Sequence, residues 1–271
     1  MAIGYAVVMG VVGLVTFTHG EVIMVGAFAG FYALSFLGTN IVVALLAGFS
    51  ASFVLGIAVD RVCYRPFRKA PRQIPLICTI GMSIFLRSGA QVVFGTEQRL
   101  MPSIFENKFL TFGDVRITYI QILIVVVVIL LSIGLHLLFS RSRLGISLRA
   151  VSMDKDAAAL LGVNVNRTIL IGNSIGCALG GVGGVLLGCY YNAIHPVMGG
   201  AVAMKAFTAT VFGGLTSVPG AAIGGLLLGI FENLGVAIFS AGYRDIIAFV
   251  VLITMLLIKP SGLFGTKGVE V

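Results

Sequence analysis

The side chains able to do chemistry in this sequence are few and far apart. Glu232, with Asn233 beside it, lies inside the apolar run 221–240. Lys205 and Thr208 lie in the run 202–216, Arg87 in 74–94, and His19 and Glu21 flank the junction of the first two runs. The three histidines, His19, His136 and His195, are scattered, and no nucleophile stands near a base at a useful spacing, so no enzyme site is expected. His195-Pro196 reads as a turn, since proline cannot continue a helix. Cys63, Cys78, Cys177 and Cys189 form no CxxC pair, which leaves no metal site to expect; they read as small packing residues. The phosphate-binding pattern GxxxxGK[ST] does not occur, so neither nucleotide chemistry nor a cofactor is expected in this chain. What remains is a handful of charges in apolar surroundings. Such groups are costly to bury and are functional candidates by default. Glu232 has too short a side chain to reach an interface and should be protonated or meet a cation or donor, Lys205 being one partner within reach of the argument. Arg87 is expected to snorkel to the outer interface. His19 and Glu21 are expected at the cytoplasmic interface, capping the second helix. Glu232, Lys205, Thr208, His19 and Glu21 are the candidates for a pathway or gate.

The elements that must hold these residues are membrane helices. Of 271 residues, 58% are hydrophobic and 10% charged, against roughly 25% charged in a soluble domain. The apolar stretches are continuous, not alternating in segments of about ten as a β-barrel requires. They run over 2–17, 22–38, 41–59, 74–94, 117–139, 168–191, 202–216, 221–240 and 244–258. The expectation is an all-α polytopic membrane protein, one transmembrane domain over 1–271, with about eight or nine transmembrane helices. The first and seventh runs are short enough to be half-spans or re-entrant. The sequence opens without a basic region, so the start is expected to fall within the first helix. The net charge of +8 sits in short loops, which fits the positive-inside rule and not nucleic-acid binding. Gly172, Gly176, Gly180, Gly184 and Gly188 recur every fourth residue and trace one helix face. That face is a packing groove in a bundle, or a moving seam or subunit interface.

Two loops set the orientation. Residues 60–72 carry Arg61, Arg65, Arg68, Lys69 and Arg72 against one acid, and residues 141–167 carry Arg141, Arg143, Arg149, Lys155 and Arg167 against Asp154 and Asp156. Both are expected in the cytoplasm. Residues 95–116, with Glu97, Arg99, Glu106, Lys108, Asp114 and Arg116 in balance, fall outside by parity. The tail with Lys259 and Lys267 returns to the cytoplasm if 202–216 crosses fully. Within 141–167 the sequence writes a short helix over 152–161. Ser152 serves as N-cap, Asp154 and Asp156 complement the helix dipole, Ala157, Ala158 and Ala159 favour helix, and Gly162 supplies a left-handed stop. Such a helix is a solvated connector or a docking knob for a cytoplasmic partner, with Leu160 or Leu161 exposed to fill a partner groove.

The chain resembles the permease family of branched-chain amino acid ABC importers, the LivH type. The resemblance covers essentially the whole chain. It rests on Phe17-Thr-His-Gly-Glu21, Tyr64-Arg-Pro-Phe-Arg68, Ile80-Gly-Met-Ser-Ile-Phe-Leu86, Arg149-Ala150 with Ala158 to Gly162, Lys205-Ala-Phe-Thr-Ala209 with Gly213-Gly214, Pro219-Gly-Ala221 and Pro260-Ser-Gly-Leu-Phe-Gly265. Each stretch is weak alone; their order and spacing are specific. Family members usually carry more residues before the position of Met1, and more often alanine where Thr18 stands. The resemblance implies a second homologous permease, two cytoplasmic ABC ATPases, a soluble substrate-binding protein and a bacterial or archaeal cytoplasmic membrane. It also implies that Arg149, Ala150, Asp156, Ala157, Ala158, Leu161 and Gly162 form the ATPase-facing element. Urea and short amides stay open as substrates. An ion-coupled secondary transporter would show inverted repeats and coupling residues at mid-depth; Glu232 and Glu21 could serve, but no convincing repeat is seen. A channel would need more than Gly213-Gly214 to build a filter.

Overall fold

The computed structural model describes residues 1–13, 15–38, 40–68, 70–71, 73–102, 109–112, 115–215, 217–259 and 261–265. Lys69, Arg72, Glu106, Lys108, Asp114, Pro260 and Lys267, which entered the reading of the loops and tail, lie outside the described residues. The helices are α1 (Ala2–Val12), α2 (His19–Leu37), α3 (Ile41–Val59, running on into a π-helical turn over Asp60–Tyr64), α4 (Gln73–Phe94), α5 (Tyr119–Arg141), α6 (Arg143–Met153), α7 (Lys155–Leu160), α8 (Val165–Tyr191), α9 (Met198–Gly213), α10 (Val218–Ile238) and α11 (Arg244–Ile258). Two small antiparallel ribbons accompany them: β1 (Arg99–Leu100) pairs with β4 (Ala193–Ile194), and β2 (Phe109–Phe112) with β3 (Val115–Thr118).

Helix α8 is the axis of the fold, and its glycines explain why. Gly172, Gly176, Gly180, Gly184 and Gly188 are all buried within the chain itself. A methyl group on Gly172 would lie 2.6 Å from Leu148, and one on Gly176 would lie 2.5 Å from Val8. On Gly180 it would lie 3.0 Å from the His19 ring, on Gly184 it would strike the Ile23 carbonyl, and on Gly188 it would lie 2.8 Å from Ile194. The stripe therefore lets α1 and α2 approach α8 at backbone distance, where van der Waals packing holds helices together. Gly181, on another face, does the same for α3, meeting Ser52 and Gly48. Ser52 in turn donates to the Val22 carbonyl at 3.1 Å, and Asn173 to the Gly56 carbonyl at 3.0 Å.

The depth at which elements begin departs from the sequence expectation. Helix α1 runs antiparallel to α8, with Gly4 against Gly176 and Val11 against Gly172. It ends at Gly13, whose φ of 74° closes it with a left-handed cap. The next helix, α2, starts only at His19, beside Gly180, just past the midpoint of α8. Tyr5 donates to the Thr16 carbonyl at 3.1 Å and ties down the break. After α8 the chain turns at Asn192 and folds back, Ile194 lying over Gly188, so that α9 begins with Gly199 against Gly20. The N-terminal ends of α2 and α9 thus abut halfway along α8. His19 and Glu21 are accordingly buried at the centre of the bundle, both 1% exposed, and not at an interface.

Among the described residues, six helices are long and apolar enough to cross a membrane: α2, α3 with its π-turn, α4, α5, α8 and α10. The expected eight or nine is not reached by that measure, because α1, α9 and α11 have only 11, 16 and 15 residues. Outward faces are apolar, as at Ile84 and Phe85 on α4, Val125 and Leu130 on α5 and Leu257 on α11, which suits lipid. The two ends of the molecule are distinct. At one, β1 pairs with β4, so the segments after α4 and after α8 meet there. At the other, Arg68 pairs with Asp60 at 2.7 Å and donates to Asn166, and Lys155 donates to the Val12 carbonyl at 3.5 Å. The two basic loops therefore share one end, opposite to β1 and β4.

Candidate functional site

Three groups of polar residues stand out. The first lies where α2 and α9 begin. Glu21 accepts hydrogen bonds on Oε1 from Arg87 Nη2 at 2.8 Å, Arg87 Nε at 3.2 Å and Ser83 Oγ at 3.2 Å, while Oε2 is buried and has no partner among the described residues. Arg87, its side chain 37% exposed, is paired with a carboxylate on α2, a partner the sequence did not suggest. Glu21 also sits in the first turn of α2, where the positive end of the helix dipole favours an acid. The His19 ring lies edge-on to Tyr5, centroids 5.2 Å apart.

The second group lies between α9, α10 and α11. Lys205 stands 3.4 Å from Glu232 and 2.9 Å from Asp245, and Arg244 stands 3.9 Å from Glu232. Lys205, Glu232 and Asp245 line a cavity of 610 Å³ that reaches Gln98, Tyr191 and His195 at the β1–β4 end. The pairing of Glu232 with Lys205 follows the sequence reading. Arg244 and Asp245 were missed, because charges at the start of an apolar run look like an ordinary helix boundary; two opposite charges side by side there were the available signal. Thr208 is buried and donates to the Met204 carbonyl of its own helix at 2.9 Å, so it is not brought into this group.

The third group lies at the basic end. Ser152 is not the cap that the sequence suggested. It belongs to α6 and donates to the Arg149 carbonyl at 2.8 Å. The chain becomes extended at Asp154, whose carboxylate accepts from the N–H groups of Asp156 and Ala157 and starts α7. The expected single helix over 152–161 is therefore two helices, because aspartate two residues on is an equally good cap and the break goes to it. Gly162 ends α7 as expected, with φ 83° and its N–H donating to the Ala159 carbonyl. Ala158 is buried against the bundle, at 2% exposure, whereas Leu160 and Leu161 are 90% and 83% exposed. Arg149, Asp156 and Ala157 are exposed and Ala150 half-buried.

These features define a class: a polytopic helical membrane protein with discontinuous helices at its centre, a charged cavity toward one end and a short exposed helix at the other. The family model described as "Branched-chain amino acid transport system / permease component" matches residues 1–256, and the chain belongs to that family. It is a permease family and not an enzyme family. The chain is 42% identical, over its full length and 92% of the relative, to the high-affinity branched-chain amino acid transport system permease protein BraD of Pseudomonas aeruginosa. It is 40% identical, with the same coverage, to the permease protein LivH of Escherichia coli K12. A probable branched-chain amino acid transport permease protein LivH of Methanocaldococcus jannaschii is 30% identical over 98% of this chain and 87% of the relative. No solved structure matches the chain.

Proposed function

We propose that this chain is a permease subunit that moves branched-chain amino acids across the cytoplasmic membrane as part of an ATP-driven importer. The observation that carries this reading is the match along the whole chain to permease components of branched-chain amino acid transport systems. In this reading a soluble binding protein delivers the amino acid at the β1–β4 end. A second homologous permease completes the pathway, and two ATPases dock at the basic end. Helices α1 and α9 act as half-spans meeting at mid-depth, and Glu21, His19, Lys205 and Glu232 lie along or gate the route.

The element from Arg149 to Gly162 is the ATPase contact. What supports this is α7, pinned by its Asp154 cap and the buried Ala158, with Leu160 and Leu161 held out in solvent. Exposed leucines on a short rigid helix suit a partner groove. The test replaces both leucines with aspartate in the native cells. Leucine uptake is expected to fall to background while the chain remains in the membrane, and P-loop ATPases no longer co-purify with it. Undiminished uptake by that variant would remove the docking role.

A further inference from the structure

Two ion pairs of this bundle close on a buried carboxylate: Arg87–Glu21 at 2.8 Å and Arg68–Asp60 at 2.7 Å. The second does more than neutralise its acid. Arg68 Nη2 donates to both oxygens of Asp60, at 2.7 and 3.0 Å, and Nη1 donates to the side-chain carbonyl of Asn166. One guanidinium thus joins the π-helical turn that ends α3 to the first turn of α8. Its planar fork holds two acceptors in a fixed geometry, which the point charge of a lysine does not. The backbone is shaped to aim it there. The Arg65 N–H donates to the Asp60 carbonyl at 2.8 Å, and the Phe67 N–H donates to the Tyr64 carbonyl at 3.2 Å. The chain therefore doubles back and returns Arg68 to the acid it has just passed.

The position of this clasp matters because of its neighbours. Only residues 161–164 lie between α7 and α8, with a left-handed turn at Gly162, φ 83°. A push on α7 that merely bent this link would leave the bundle unmoved. Four residues past Gly162, Asn166 is fixed to α3 by Arg68. Further along, Asn173 donates to the Gly56 carbonyl at 3.0 Å, and a methyl group on Gly56 would lie 2.8 Å from Cys177 Cβ. Helix α3 in turn holds the first turn of α2, where Ser52 donates to the Val22 carbonyl at 3.1 Å. The clasp stands at the foot of a continuous packed and hydrogen-bonded path from α7 to the start of α2, the kind of network that carries coupling between distant sites.

We propose that Arg68 is a positioning residue for transport. By clasping Asn166 to Asp60 it makes the start of α8 and the end of α3 move as one body. Displacement of α7 by its partner then passes to the centre of the bundle instead of being absorbed at Gly162. This proposal rests on the permease reading and on docking at α7, and it adds the residue that turns docking into movement. Asn166 is exposed, and replacing it strands no charge, because Arg68 keeps Asp60.

The test uses the importer purified from native cells with its ATPases, reconstituted in vesicles and supplied with leucine-loaded binding protein. Leucine uptake and ATP hydrolysis are read together. Asn166→Ala is expected to keep the thermal midpoint and the co-purified ATPases of the native chain. Leucine moved per ATP should fall at least about tenfold, the order set by one hydrogen bond to a charged group. Asn166→Asp returns an acceptor for Arg68 and suits the first turn of α8, so it should restore the ratio. Arg68→Lys should match Asn166→Ala, and joining the two should bring no further fall, since both cut the same link. A native ratio in Asn166→Ala, or a ratio in Asn166→Asp as low as in Asn166→Ala, overturns the clasp. Loss of the ATPases or of thermal stability in Asn166→Ala also overturns it, since the residue then only holds the fold. The native chain separates the two readings. If it moves leucine with ATPases bound and Asn166→Ala does the same, only the clasp fails. If the native chain moves no leucine or brings no ATPase with it, the permease reading fails and the clasp with it.

Discussion

At the residue scale, the closed ion pairs are the parts least tolerant of change. Glu21 is 1% exposed and takes three hydrogen bonds on one oxygen from α4, a helix that otherwise packs loosely on the rest of the bundle. Removing Arg87, 37% exposed, would strand the buried Glu21 carboxylate, at a cost below the about 3–5 kcal/mol of a fully buried pair, while replacing both partners by neutral groups of similar shape costs far less. Arg87→Gln is therefore expected to lower the thermal midpoint of the purified chain, with the addition of Glu21→Gln recovering most of the loss. A double variant as unstable as Arg87→Gln would show that the pair is not what holds α4. This pair was not legible in the sequence. Residues 21 and 87 are distant in the chain, and an arginine near the end of an apolar run has an adequate home at the interface. Lys205 and Glu232 were legible as partners because Glu232 lies too deep to be left alone, which forces a search for a cation.

At the scale of elements, the glycine stripe of α8 meets its neighbours at backbone distance. The stripe serves α1 and α2 of the same chain, so four-residue spacing identified the groove but not its occupant. The effect of an added methyl group should differ sharply along the molecule. At Gly184 it would collide with the Ile23 backbone, whereas at Gly229 on α10 it meets nothing within 4 Å. Overpacking costs about 1–3 kcal/mol, and alanine in an open helical position favours the helix by about 1 kcal/mol. Gly184→Ala should thus lower thermal stability, and Gly229→Ala should hold or raise it, in a melting assay on the purified chain. Equal effects would mean that α8 does not make the close approach described. The α6–α7 corner shows the limit of local signals. Ser152 and Asp154 both cap well, and the choice between them depends on how Leu148 and Val151 seat α6 in the bundle, where both are 1% exposed. That is tertiary information which the local sequence does not hold.

At the scale of the whole molecule, charge and geometry agree on which residues lie together. Arg61, Arg65, Arg68, Arg141, Arg143, Arg149, Lys155 and Arg167 all belong to the end where Arg68 meets Asp60 and Asn166. The opposite end has Arg99 in β1, bonded to Tyr32 and the Phe94 carbonyl, and the mouth of the charged cavity. Loop composition was enough to sort these ends, because the excess of arginine and lysine is large and the intervening runs are unbroken. The span count was less legible, since a half-length helix and a full one share the same apolar composition and differ only in where the chain turns. An excess of basic residues stays in the cytoplasm during insertion, which makes the orientation testable on single residues. Leu160 is 90% exposed at the basic end and Leu100 is 78% exposed at the other. Three of the four native cysteines are buried, which keeps the background low. In intact cells, an impermeant maleimide should label Leu100→Cys and leave Leu160→Cys unreacted. In inverted vesicles the pattern should reverse. If both cysteines react from one side, α5 does not cross the membrane between them, and the placement of the β1 end and α7 on opposite faces would have to be abandoned together with the docking role of α7.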